Sequence, residues 1–85
     1  MNKVAKVNHF TICPNEFTYC RPICMYEKDI SIPGLDENYH ISIECPGYSF
    51  SIYHTIKPNI LSIRIPVKPT SILRLRIEIS WYIRR

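Results

Sequence analysis

Glycine is nearly missing from this chain: Gly34 and Gly47 are the only two among 85 residues. Dinucleotide fingerprints and phosphate-cradling loops need several glycines where backbone must approach phosphate, so both are excluded. Long apolar runs are missing too. No stretch approaches the roughly 18 residues that a membrane-crossing helix requires. Lys3 and Lys6 are not followed by an apolar segment of signal-peptide length. A cytoplasmic location without membrane attachment is the resulting expectation. Acidic residues are few, seven against eleven lysines and arginines, leaving a net charge of +4. They are scattered apart from Asp36-Glu37, which fits surface solvation better than paired-carboxylate catalysis. The charge balance tilts toward anionic partners.

Isoleucine is in excess, with fifteen residues against four leucines and three valines. It is stiff at its first side-chain torsion and fits a pleated sheet better than a helix. The accompanying lysine, asparagine, tyrosine and phenylalanine fit an AT-rich coding bias, compatible with a virus or mobile element. Hydrophobic residues at 46% and charged residues at 21% are globular values rather than those of a disordered chain. A chain of this length has room for one core, so residues 1–85 are expected to form a single small domain.

The spacing of the apolar residues carries most of the fold information. From Leu73 to Arg84 the chain alternates: Leu73, Leu75, Ile77, Ile79, Trp81 and Ile83 share one face, and Arg74, Arg76, Glu78, Ser80, Tyr82 and Arg84 the other. A period of two over this length predicts a half-buried strand. Leu61 to Val67 alternates in the same way, and the short Lys68-Pro69-Thr70 link predicts that the two strands pair as a hairpin. Arg64 would then lie across from Arg74, and Ser62 across from Arg76. A second hairpin is predicted from Tyr39–Cys45 and Tyr48–His54, joined by Pro46-Gly47. Pro-Gly suits a type II turn better than the primed turns favoured in two-residue hairpins, so a wider loop is allowed there. Weaker strands are expected at Val4–Ile12 and Ile23–Ile32, with one or two helical turns within residues 14–20 and a loop at Leu35–Asn38. The sum is an all-β fold, a small antiparallel meander of about six strands forming a barrel or sandwich. An α+β version with one short helix is the alternative.

Cys13, Cys20, Cys24 and Cys45 admit three states: zinc-bound, disulfide-bonded or free. Cys20-x3-Cys24 barely qualifies as a zinc knuckle, and His40 and His54 fall on opposite faces of the predicted hairpin. Disulfides would require an oxidising compartment. Small hydrophobes packed in or near the core is the favoured reading, with Cys45 pointing inward. No metal or cofactor is therefore assigned. No local signature surrounds a candidate nucleophile, so an enzyme is not expected.

One functional lead remains. Arg64, Arg74, Arg76 and Arg84, with Lys68 at the turn and Tyr82 beside them, would form a basic stripe on one sheet face. Arg74 and Arg76 would be its centre. Like charges opposed on a sheet destabilise by roughly 0.2–1 kcal/mol per pair, which hints at selection for an anion or an acidic partner surface. The plainer reading is a solvated face that keeps an edge soluble. Three functions follow in order of preference. The first is a non-enzymatic protein-interaction module, such as an inhibitor or accessory factor. The second is a nucleic-acid or polyanion binder that uses the basic hairpin face. The third is a structural subunit, a homodimer through an edge strand formed by the long final strand.

Overall fold

The alternation in the second half of the chain is realised, but not as the hairpin it implied. A computed structural model describes residues 2–83 and contains seven strands. They are β1 (Asn2–Ile12), β2 (Thr18–Cys20), β3 (Met25–Ser31), β4 (His40–Glu44), β5 (Tyr53–Lys57), β6 (Ile60–Ile65) and β7 (Leu73–Ile83). The short helix expected near residues 14–20 is a single 3-10 turn, Pro14–Glu16. Proline opens it where a missing N–H costs nothing, and Glu16 accepts a hydrogen bond from the Cys13 N–H at 2.7 Å.

The strands form two antiparallel sheets, one of three strands in the order β1-β7-β4 and one of four in the order β2-β3-β6-β5. Among the described residues no strand pair joins the two sheets, so the fold is an open sandwich and not a closed barrel. This is a small all-β domain, as the alternation predicts, with seven strands in place of about six.

The inward faces match the alternation. Leu73, Leu75, Ile77 and Ile79 of β7 and Leu61, Ile63 and Ile65 of β6 are buried in one cluster with Ile12, Ile30, Leu35 and Cys45. Burying one such aliphatic side chain contributes about 1.5–3 kcal/mol before the loss of chain entropy is counted. The pattern fades at the end of β7, where Trp81 is half-buried and Ile83 exposed.

The pairing differs from expectation in two places. β6 pairs with β3 and β5, and β7 pairs with β1 and β4, so the predicted β6–β7 hairpin does not exist. The seven residues 66–72 carry the chain from one sheet to the other. Pro66 and Pro69 lie in this link, and neither can donate a ladder hydrogen bond. The hairpin predicted around Pro46-Gly47 is also absent, because β4 and β5 belong to different sheets. The turn itself forms: Gly47 has φ +88°, and the Tyr48 N–H donates to the Cys45 carbonyl at 3.3 Å. Proline followed by a positive-φ glycine is a type II turn, whose twist splays flanking strands instead of pairing them. The tight hairpin lies elsewhere, at Pro58-Asn59 between β5 and β6, where Lys57 faces Ile60 and Asn59 has φ +63°.

Candidate basic edge of the three-stranded sheet

Residues directly opposite in an antiparallel pair share a face, so the register maps the outer surface of the three-stranded sheet. Across β1 and β7 it reads Lys3–Tyr82, Ala5–Ser80, Val7–Glu78, His9–Arg76 and Thr11–Arg74. On the other flank, His40 faces Ser80, Ser42 faces Glu78 and Glu44 faces Arg76. Ser80, in the middle of that row, is buried.

The arginines expected to act together are divided. Arg64 belongs to β6, on the outer face of the other sheet, and does not oppose Arg74. It lies across from Glu27 and Tyr53, reaches Glu27 Oε2 at 3.7 Å and donates to Thr55 Oγ1 at 2.6 Å. The like-charge opposition that made the stripe look costly is thus replaced by an ion pair and a hydrogen bond. Arg74 and Arg76 remain together on β7. Lys68 is exposed in the inter-sheet link, away from the strands. Tyr82 is 53% exposed, faces Lys3, and meets His40 edge-on with ring centroids 6.5 Å apart. Arg84 lies outside the described residues.

The structure adds partners that sequence reasoning missed. A cavity of about 430 Å³ is lined by His9, Phe10, Thr11, Pro46, Arg74, Leu75 and Arg76. His9 and Thr11 join the two arginines because β1 lies against β7 in this register. No short-range pattern announces a pairing between the first and last strands of a chain. The electrostatics around the cavity are uneven. Arg76 is 3.8 Å from Glu78 and lies opposite Glu44, so its charge is partly offset. Arg74 has no ion-pair partner among the described residues and faces only Thr11. Two guanidiniums, an imidazole and a hydroxyl in one concavity suit a carboxylate or phosphate oxygen.

Beside this cavity runs an open edge. β1 has eleven residues, each paired with β7, and among the described residues no other strand pairs with it. Its second side carries backbone groups that pair with no strand. β1 contains Lys3, Lys6 and His9 and no acidic residue, and Val7 on its outer face is 40% exposed. The final strand, proposed from the sequence as a dimerising edge, is instead the central strand of its sheet.

The cysteines are all free. Cys45 is buried as expected, and burial pushes its thiol pKa above the ordinary range. Cys13 and Cys24 are exposed and Cys20 half-buried, which corrects the expectation that all four sit in or near the core. Among the described residues no three His, Cys, Asp or Glu side chains come together as a metal-binding group, and no helix is long and apolar enough to cross a membrane. No protein-family model, curated protein or solved structure matches this chain.

Proposed function

We propose that this protein is a non-enzymatic interaction module that binds a protein partner by strand addition at the β1 edge. The observation that carries this reading is the length of the open edge: eleven residues of regular strand with a strand partner on one side only. An edge of that kind supplies main-chain hydrogen bonds to an incoming segment, and the side chains on either face give specificity. Lysines within β1 would limit indiscriminate edge-to-edge aggregation while leaving the edge open to a complementary chain. Exposed Tyr82 and the Arg74–Arg76 pair flank it, and tyrosine and arginine are frequent anchors at protein interfaces.

Capture from native-host lysate tests the reading, with nuclease present and absent, using the wild-type chain and an edge-blocked variant. Successive strand residues turn their N–H groups alternately toward the partner strand and away. One of Val7→Pro and Asn8→Pro therefore removes an outward donor and spares the β1–β7 ladder; circular dichroism and thermal melting identify which. A nuclease-resistant protein partner that the folded proline variant no longer retains is expected. Capture that disappears on nuclease treatment transfers the basic face to nucleic-acid binding, which the Arg74–Arg76 cavity also suits. Capture unaffected by the folded proline variant refutes the edge.

A further inference from the structure

We infer that the segment received by β1 alternates acidic and apolar side chains, with its acidic side turned outward over Arg74 and Arg76; this rests on the edge reading above. Strands in a sheet lie about 4.8 Å apart, so an added strand would run roughly 9.5 Å from β7. Arg74 can reach across most of that span because its neighbour toward the edge is Thr11, a short side chain, and a carboxylate leaning back from the added strand closes the rest. A carboxylate on the outer face of the incoming strand, level with Thr11 or His9, would enter the cavity that His9, Thr11, Arg74 and Arg76 line. Lys3 marks the other end of the same face, beside Tyr82.

The inner side of the added strand meets different chemistry. Val4, Phe10 and Ile12 are the apolar β1 residues on the inner face, opposite Trp81, Leu75 and Leu73; Asn2, Lys6 and Asn8 share that face by the same register, and Lys6 is exposed. Apolar side chains on the incoming strand would extend that surface past Phe10, which is half-buried. Acid outside over His9 and Thr11, with aliphatic side chains inside beside Phe10 and Ile12, is therefore the complementary pattern at a period of two.

A second copy of this chain is a poor occupant. Antiparallel pairing of β1 with itself over its full length would set Lys3 against Thr11 and Lys6 against Asn8, so the second strand brings no acid to the lysines or to Arg74, and the register centred on Lys6 would oppose like charges. The acids nearest this face, Glu44 and Glu78, lie on β4 and β7, behind the edge and not on it.

Synthetic peptides that alternate glutamate and valine, serine and valine, or lysine and valine test the inference on the full chain, read by calorimetry and by backbone amide shifts. The glutamate peptide is expected to bind with shifts concentrated in Asn2–Ile12. Raising salt from about 50 to 200 mM should weaken it, and Arg74→Glu should weaken it about tenfold or more. Equal binding of the serine peptide at β1 overturns the acidic requirement and leaves the edge reading intact. Binding of the glutamate peptide away from β1, or undiminished in the folded edge-blocked variant, overturns both. Absence of glutamate-peptide binding at about 1 mM, or a concentration-dependent dimer of the free chain, overturns the inference and leaves the edge reading to the lysate experiment.

Discussion

Ser62 shows how a polar side chain is accommodated in a central strand. It is fully buried on β6, between Asp29 and Thr55 in register, and its hydroxyl donates to Asp29 Oδ1. Ser62→Ala removes that bond, but the exposed Asp29 carboxylate can rehydrate. A loss of about 1 kcal/mol is expected, measured by urea denaturation. His54 gives a pH signature. Partial desolvation of this otherwise exposed side chain, reinforced by the nearby Arg64 charge, holds its pKa below the ordinary 6.5, so the fold favours the neutral imidazole. The resulting stability is complete above about pH 6.5 and is lost as pH falls through that value toward the lower folded pKa. His54→Gln should flatten this small decline in melting temperature. Glu16 acts in a separate window. Hydrogen bonding from the Cys13 N–H, aided by Lys28, holds its pKa below 4.5, so its contribution is lost only in more acidic solution.

The β5–β6 hairpin is held at its turn by Asn59. This residue adopts φ +63°, accepts a hydrogen bond from the Gly34 N–H at 2.8 Å through its side chain, and donates its own N–H to the Leu35 carbonyl at 3.0 Å. The turn and the loop that buries Leu35 are thereby tied together. Asn59→Ala should cost about 2 kcal/mol, because it combines left-handed strain with a lost hydrogen bond. Asn59→Gly should cost less, since glycine tolerates that φ; chemical denaturation of both variants separates the two terms. The turn was readable in Pro58-Asn59, yet sequence reading placed the hairpins at Pro46-Gly47 and Lys68–Thr70. Alternation says which side a residue faces and nothing about which strand lies beside it. Burial of Leu61, Ile63 and Ile65 is satisfied equally by a β7 neighbour or by β3 and β5, so agreement of the inward faces does not distinguish the two pairings. The candidate site shared this fate. Arg74, Arg76 and Tyr82 were found from their strand, whereas His9 and Thr11 required the neighbour, and Arg64 was assigned to the wrong sheet.

Across the whole molecule, the first strand pairs with the last along its full length, and both sheets contribute to one buried cluster. The three-stranded sheet therefore closes only after nearly the entire chain has been brought together. Non-local β pairing of this kind folds slowly, because loop-closure entropy must be met before the contacts form. Stopped-flow refolding is expected in the range of milliseconds to seconds; refolding within microseconds would contradict this topology. The same closure creates the candidate site, which takes His9 and Thr11 from one end of the chain and Arg74 and Arg76 from the other.

The inward and outward assignment of Leu61 to Ile65 and Leu73 to Ile79, the all-β class and the type II turn at Pro46-Gly47 were settled locally, because side-chain alternation and proline–glycine dihedrals are properties of adjacent residues. Which strands became neighbours was decided only when the chain closed on itself. Several pairings bury the same aliphatic faces, and the choice among them depends on how the links at 45–52 and 66–72 cross between sheets. That choice separated Arg64 from Arg74, placed β7 at the centre of its sheet, and left β1 as the open basic edge.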